Sequence, residues 1–237
     1  MRIATMNWMQ VETYLENDDR CVLPVGSVEQ HAQLSLCVDA ILSERVAVDA
    51  AEPLQIPVYP CMPFGLAPYF SAFPGSISLR VETLLAVFRD LIASVHRSGF
   101  RRVLIVNGHG GNAPVAALAK ELMAELPEVS IKYHPWWAGA KVNAAMDKID
   151  PIGSHASWIE NFPWTRLANA TAPDGEKALV DHAQLDMSNP QVAKAMLGDG
   201  NFGGAWQKSD DVMLEIWRVG VEETRAILQG PWPNHAD

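Results

Sequence analysis

Short apolar runs alternate with amphipathic stretches along the chain. Three runs have the length of buried strands; they read CVLPVG at residues 21–26, RVLIVNG at 102–108 and SIKYHPW at 130–136. Apolar residues at helical spacing predict four helices, over residues 40–51, 81–98, 114–126 and 210–228. Strands that alternate with helices favour a mainly parallel sheet covered by helices on both faces. We therefore predict one α/β domain over residues 1–237, built as three α/β/α layers.

Composition and charge exclude several classes of protein. Hydrophobic residues make up 49% and charged residues 19% of the chain, which is typical of a compact soluble protein. A formal net charge of -10 without a long basic run argues against nucleic acid as a partner. No stretch approaches the ~20 apolar residues of a membrane span, and the N-terminus lacks an apolar signal region. An odd count of three cysteines with no CxxC pair indicates reduced thiols, as in the cytoplasm. The sequence therefore predicts a cytoplasmic protein, and without an apolar span it predicts no membrane partner.

Reactive side chains follow the first predicted strand. Glu29 and His31 are two residues apart, so in an extended segment their side chains leave on the same face. Asp39 comes eight residues after His31, close enough for a loop to fold it back beside them. Ligands bind beyond the carboxyl ends of parallel strands, and two carboxylates with an imidazole there would suit Zn, Mn or Fe. Taken singly, Asp39 could instead cap the next helix, and Glu29 and His31 could be solvated loop residues.

A glycine-rich loop follows the second predicted strand. His109 stands after Gly108 and before Gly110 and Gly111, and these glycines allow backbone turns that a β-carbon would block. The loop can therefore press against a metal or a substrate. A helix is predicted to start near residues 112–114, and its free amide groups would favour an anion in the same region.

Later stretches add weaker candidates. His155 and Glu160 lie in GSHASWIENFPW, at residues 153–164, where an irregular turn could aim both side chains inward. Surface positions are the alternative for both. Trp136 and Trp137 follow the third predicted strand and could wall a pocket, although core packing is the usual place for a tryptophan.

Four motifs in this order resemble the creatininase family of metal-dependent amidohydrolases. They are LPVGSVEQHAQLSLCVDA, FPGSISL, GFRRVLIVNGHGGN and HASWIEN, and the resemblance runs from about residue 20 to 165. The resemblance implies a single-domain α/β fold and two divalent metal ions per chain, bridged by a carboxylate and a water. Zinc is the first expectation and manganese or iron the alternatives. It also implies a homo-oligomer, such as a hexamer, and hydrolysis of amide bonds in small, often cyclic, molecules.

The same resemblance assigns roles to particular residues. It implies that Glu29, His31, Asp39 and His109 are metal ligands, with Asp39 as the bridge, and that His155 transfers a proton. Gly111 departs from creatininase, where a glutamate ligand occupies that position. In relatives with the GHGGN form we expect the later glutamate, here Glu160, to supply the missing carboxylate and to take part in catalysis. The expected substrate contacts are Tyr69, Ser76, Gly110, Gly111, Trp136 and Trp137.

The expected reaction is hydrolysis of a C–N amide bond in a cyclic amide, a lactam or a formamide. The substitutions around the metal site make creatinine itself a poor candidate substrate. One alternative is a metal-dependent peptidase or deformylase that acts on a modified peptide or a nucleotide precursor. Another is a metal-loaded binding protein without catalysis. A serine nucleophile is disfavoured because the chain has no GxSxG motif.

Overall fold

The computed structural model of the chain describes residues 1–181 and 189–234. Over these residues the main elements alternate between strands and helices, as the apolar pattern predicts. In chain order they are α1 Trp8–Leu15, β1 Arg20–Val25, α2 Val38–Ala51, α3 Val81–Arg97, β2 Arg102–Asn107, α4 Pro114–Glu125, β3 Ser130–Pro135, α5 Ala140–Ile149, β4 Glu176–Lys177, α6 Pro190–Leu197, β5 Gly204–Ala205 and α7 Asp210–Gln229.

The central sheet separates two apolar cores. Its strands are parallel in the order β1-β2-β3, with Val22 opposite Leu104 and Leu23 opposite Ile105. Because side chains alternate along a strand, Leu23 and Ile105 face the core formed with α3 and α4. Val22 and Leu104 face the opposite core, to which α2, α5 and α7 contribute. The α/β fold with a parallel sheet and helices on both faces is therefore confirmed.

An irregular segment extends the sheet beyond β1. Val58 and Met62 form isolated parallel bridges with Val22 and Val25. Prolines at 57, 60 and 63 interrupt this segment, and proline cannot donate to a ladder, which explains why the pairing is broken. The segment leads directly to Leu66, whose carbonyl reaches the loop after β2.

The four predicted helices are present with small shifts of their ends. Helix α2 begins two residues earlier than the pattern suggests, and this places Asp39 inside its first turn. Helix α3 ends before Gly99, whose φ of +111° is a conformation that favours glycine. Among the described residues, no helix has the length and apolar character needed to cross a bilayer.

Candidate metal centre

The loops that carry Glu29, His31 and His109 leave the sheet side by side. Val25 at the end of β1 pairs with Asn107 at the end of β2, so the two following loops start at the same edge. Both histidines and Glu29 are buried there. Asp39 is also buried and reaches the same place from the first turn of α2.

Two glycines allow α2 to approach the strand ends this closely. A β-carbon on Gly26 would lie 2.3 Å from the backbone nitrogen of Ala40, and one on Gly108 would lie 2.2 Å from the carbonyl oxygen of Asp39. Both distances are far below van der Waals contact. Glycine at these two positions therefore lets Asp39 reach the histidines.

Replacing Gly108 with alanine is expected to lower the free energy of unfolding by about 2–3 kcal/mol, because the new methyl group meets backbone that cannot rotate away. Gly110→Ala is the matched control. Its β-carbon would have nothing within 4 Å, so a change below about 0.5 kcal/mol is expected. Urea unfolding of both variants measures the difference. Equal stability would show that α2 does not depend on this close approach.

Asp39 lies between the two histidines. Its Oδ1 is 3.1 Å from Nε2 of His31, and its Oδ2 is 3.1 Å from Nδ1 of His109. Glu29 Oε1 is 3.2 Å from the same His109 nitrogen, and Glu160 Oε2 is 3.7 Å from the same His31 nitrogen. Potential ligand atoms therefore form two groups, Glu29–Asp39–His109 and His31–Asp39–Glu160, which share Asp39.

Backbone carbonyls orient both imidazole rings. Nε2 of His109 donates to the carbonyl of Leu66 at 2.7 Å, and Nδ1 of His31 donates to the carbonyl of Glu29 at 3.1 Å. In each ring the proton is thereby assigned to the nitrogen that faces the backbone. The other nitrogen points at carboxylates, which is the arrangement found for histidines that bind a metal.

Among the described residues, the carboxylates of the cluster form ion pairs only with the histidines around them. Burial and Asp39 raise the pKa of Glu29, and burial with Asp39 and Glu29 raises the pKa of Glu160 to about 7. Burial lowers the pKa of His31, but Asp39 and Glu160 outweigh it and raise the value to about 10. Nε2 of His31 and Oδ2 of Asp39 are buried without a hydrogen-bond partner among the described residues. Nitrogen and oxygen donors arranged in this way fit divalent zinc, manganese or iron.

His155 sits over this cluster on an irregular turn. Its ring stacks on Phe70 at 4.7 Å between centroids, and its Nε2 lies 2.9 Å from both the carbonyl oxygen and the side-chain amide nitrogen of Gln30. Nδ1 then faces Glu29, 3.8 Å from Oε1. His155 also forms a third group of potential ligands with Glu29 and His31. Burial, with the charge of His31, holds the pKa of His155 well below its usual value.

A hydrogen bond from a backbone amide to the Glu160 side chain stabilises the turn from His155 to Glu160. Ala156 adopts a φ of +60°, and its amide donates to Glu160 Oε2 at 2.6 Å. This bond fixes the carboxylate toward His31 instead of solvent. The two weakest sequence candidates are thus brought to the same cluster as the residues after β1 and β2.

A cavity of about 410 Å³ opens above the cluster. Tyr69, Gly110 and Trp137 line it, together with Glu29, Asp39, His109, His155 and Glu160. The other expected substrate contacts occupy different places. Trp136 is buried against Trp217 and borders a smaller cavity beside Asp39 and Glu160, Gly111 lies against the carbonyl of Leu66, and Ser76 Oγ accepts the amide of Gln30 at 3.0 Å.

Two asparagines that the sequence reasoning missed hold the glycine-rich loop. The side chain of Asn107 donates to the carbonyl of His109 at 2.7 Å. Asn112 donates to Asn107 and to the carbonyl of Gly26, and it accepts the amide of Leu66. Both residues lie inside the motif VNGHGGN, so their positions were visible, but periodicity gives no information about side-chain bonds between loops.

Comparisons with known proteins agree with this architecture. A family model described as Creatininase: Creatinine amidohydrolase matches residues 4–223. The chain is 28% identical to creatinine amidohydrolase of Pseudomonas putida over 165 residues, which are 64% of this chain and 63% of that protein. The chain thus spans less than two thirds of that relative. It is 27% identical to 3-dehydro-scyllo-inosose hydrolase of Thermotoga maritima over 213 residues, covering 84% and 68%.

Further similarity is shorter or structural. Mycofactocin precursor peptide peptidase of Mycolicibacterium smegmatis is 32% identical over 112 residues, covering 43% and 44% of the two chains. A crystal structure of creatininase superposes with a TM-score of 0.80 at 22% identity and 96% coverage of both chains. Other matching creatininase structures include a Zn-Zn type and a Mn form. The family model covers nearly the whole chain, and the chain therefore belongs to the creatininase family.

Proposed function

We propose that this protein is a metal-dependent hydrolase that cleaves a C–N amide bond in a small molecule such as a cyclic amide, a lactam or a formamide. The observation that carries the proposal is the pair of buried ligand groups that share Asp39. Three carboxylates around two inward-facing imidazole nitrogens are costly to bury unless protons on the imidazoles or bound cations compensate them, and two divalent ions would do so. Creatinine amidohydrolase and mycofactocin precursor peptide peptidase among the relatives support amide hydrolysis, and 3-dehydro-scyllo-inosose hydrolase supports hydrolysis in general.

The two groups would hold one divalent ion each. Glu29, Asp39 and His109 would bind one, and His31, Asp39 and Glu160 the other, with zinc expected first and manganese or iron as alternatives. Two such ions, when bound, supply a hydroxide near neutral pH and polarise the amide carbonyl. The chain's own part is to hold the ligands, to shape the cavity and to move protons.

Proton transfer falls to His155. Its Nε2 is engaged by Gln30, whose carbonyl oxygen and side-chain amide nitrogen both lie 2.9 Å away, so Nδ1 is the nitrogen on the side of the cluster that can take up or release a proton. Because its pKa is lowered, the ring is neutral at rest and can accept the proton of the attacking water. It then gives that proton to the departing nitrogen, which leaves as an amine because an amide anion is too basic. The amide of Gly110 lies in the cavity wall, where it would donate to the developing oxyanion.

Replacing His155 with alanine is expected to lower kcat by about 10²-fold while both metals stay bound, since a positioned acid or base contributes about 10² to 10⁴ in rate. Elemental analysis and steady-state kinetics on the same preparation measure the two effects. Loss of a metal ion would contradict the assignment, because the third ligand group of Glu29, His31 and His155 would then be the occupied one.

Metal uptake by the metal-free protein is expected to release at least about two protons near pH 7.5, one from each inward-facing imidazole, with a further fraction from Glu160, whose pKa is raised to about 7, and from the bound water. The pKa of His31 is raised to about 10 and that of His109 also lies well above its usual value, so both carry a proton at this pH. A cation must displace those protons, and its affinity therefore rises with pH up to about 10. Calorimetric titration with zinc in buffers of different ionisation heat counts the protons.

A surface histidine provides the control for that count. His96 pairs with Glu128 at 2.8 Å outside the cluster, so His96→Gln should release the same number of protons as the wild type. Uptake without proton release would mean that the two imidazoles are not the ligands.

The test of the reaction class combines metal analysis with a substrate panel. We expect about two metals per chain and hydrolysis of at least one cyclic amide, lactam or formamide, lost on chelation and restored by zinc or manganese. A dipeptide and a longer peptide belong in the panel, because the identity of 32% to the peptidase of M. smegmatis supports a peptidase as the second candidate. Two bound metals without turnover of any amide would favour a binding protein.

A further inference from the structure

Part of the cavity is lined by residues that do not belong to the metal cluster. Its wall is formed by the helix α5 and the segments on either side of it, with Trp137 before the helix and Met146 and Asp147 on its last turns. Asn143 and Asp147 in this wall are exposed whereas Glu29, Asp39 and His109 are buried, so the wall offers a surface for the part of a substrate that is not cleaved.

Asp147 is the charged group that this wall leaves unpaired. It is exposed at the cavity, and among the described residues its carboxylate has no hydrogen bond or ion pair. The neighbouring acid Asp150 differs, because Lys208 binds its Oδ2 at 2.7 Å and the amide of Ile152 binds its Oδ1 at 2.9 Å. The charges of Asp150 and Lys208 thus compensate each other. Asp147 therefore gives this wall, at the mouth of the cavity, a net negative charge.

Positive residues do not compensate Asp147 inside the cavity. Among the described residues that line it, there is no lysine or arginine. The two lysines of α5, Lys141 and Lys148, line a separate shallow groove with Glu215. Cations bound by the cluster would be matched by Glu29, Asp39 and Glu160 and by the hydroxide. The mouth therefore keeps a negative potential when the centre is loaded.

The position of Asp147 is fixed from both ends of its helix. Glu223 of α7 accepts the amides of Lys141 and Val142, each at 3.2 Å, and so caps the first turn of α5. Lys208 holds Asp150 just after the last turn. A helix anchored in this way presents its carboxylate at a defined distance from the metal cluster, as a selective contact requires.

We propose that Asp147 and Trp137 form a subsite for a positively charged group, so that the substrate carries a protonated amine or amidinium at the end remote from the scissile amide. A carboxylate and an aromatic side chain in the wall of one cavity are a favourable environment for a cation, which can gain both a Coulomb and a cation–π contribution. A substrate with a remote carboxylate is repelled by the same residue. This inference rests on the proposed function, because it takes the metal cluster as the reacting end.

Hydroxamates of equal length test the subsite, because the hydroxamate group chelates divalent cations and the tail then extends toward the mouth. The probes are 5-aminopentanohydroxamate, hexanohydroxamate and the monohydroxamate of glutaric acid, titrated calorimetrically into the zinc-loaded protein. We expect the ammonium tail to bind about fivefold more tightly than the neutral tail, and the carboxylate tail most weakly. The ratio should shrink at high salt, since Asp147 is exposed.

Asp147→Asn should bring the ratio of ammonium to neutral tail close to one. Asp90→Asn removes the same charge from an exposed site on α3, across the sheet, and should leave the ratio unchanged. A wild-type ratio near one, or a ratio unaffected by Asp147→Asn, overturns the proposal.

Formamides with the same three tails, assayed for hydrolysis, separate this result from the proposed function. If the formamides are hydrolysed at similar rates whatever the charge of the tail, the proposed subsite is wrong and the proposed hydrolase function stands. If the hydroxamates bind in the expected order of tail charge but no formamide is hydrolysed, the proposed hydrolase function is wrong and the subsite stands. Failure of every hydroxamate to bind the zinc-loaded protein overturns both.

Discussion

Asp39→Asn is expected to abolish the paired metal centre and to lower kcat/KM by at least about 10⁴-fold, equal to about 5.5 kcal/mol of transition-state stabilisation. The physical reason is that both carboxylate oxygens are used. Oδ1 faces His31 and Oδ2 faces His109, each at 3.1 Å. Asparagine keeps the shape but replaces one oxygen with an NH₂ group, which cannot bind a cation. Elemental analysis should find at most one metal per chain.

A residue of the same helix provides the control for Asp39. Glu44 lies on α2, is partly exposed and pairs with Arg2 at 3.5 Å, so Glu44→Gln should keep two metals and full activity. Thermal unfolding of both variants checks that α2 remains folded. If folded Asp39→Asn protein retained two metals and more than a tenth of the activity, Asp39 would not be the shared ligand.

The central strands β1 and β2 could be predicted because they are buried on both faces, whereas β3 is only partly buried. Runs such as RVLIVN have no polar interruption, and such runs are typical of parallel strands. The segment that contains Val58 was not predicted as part of the sheet, because its prolines break the pattern and its pairing depends on the neighbouring β1. Helix α5 was also missed. Its first turn is capped by Glu223, which lies more than 80 positions away in the sequence.

The site could be predicted as a set of residue types near strand ends, but not as a geometry. Glu29, His31 and His109 follow β1 and β2, and the topology of a parallel sheet is enough to bring them together. Periodicity gave no sign that a φ of +60° at Ala156 would turn Glu160 toward His31. The ligand roles themselves stay predictions until metals are measured. For Trp136 the sequence left two places open, because a tryptophan after a strand is compatible with a pocket wall and with the core. Its side chain is buried.

Glu160→Gln is expected to remove one of two metals and to lower kcat/KM by about 10³-fold, equal to about 4 kcal/mol. In this chain Gly111 stands where creatininase has a glutamate ligand, and the structure leaves no room there. A β-carbon on Gly111 would lie 1.9 Å from the carbonyl oxygen of Leu66 and 2.4 Å from Nε2 of His109. A third carboxylate must therefore come from another element, and Glu160 Oε2 is 3.7 Å from His31.

The position of the carboxylate can be tested by moving it. The double variant Glu160→Gln with Gly111→Glu should remain as impaired as Glu160→Gln, because the new side chain displaces the carbonyl that orients His109. Metal content and kcat/KM measure the outcome. If Glu160→Gln alone kept two tightly bound metals, the second ion would be held by Glu29, His31 and His155 instead. His155→Ala should then lose that ion, so the two variants together assign the fifth side chain of the centre.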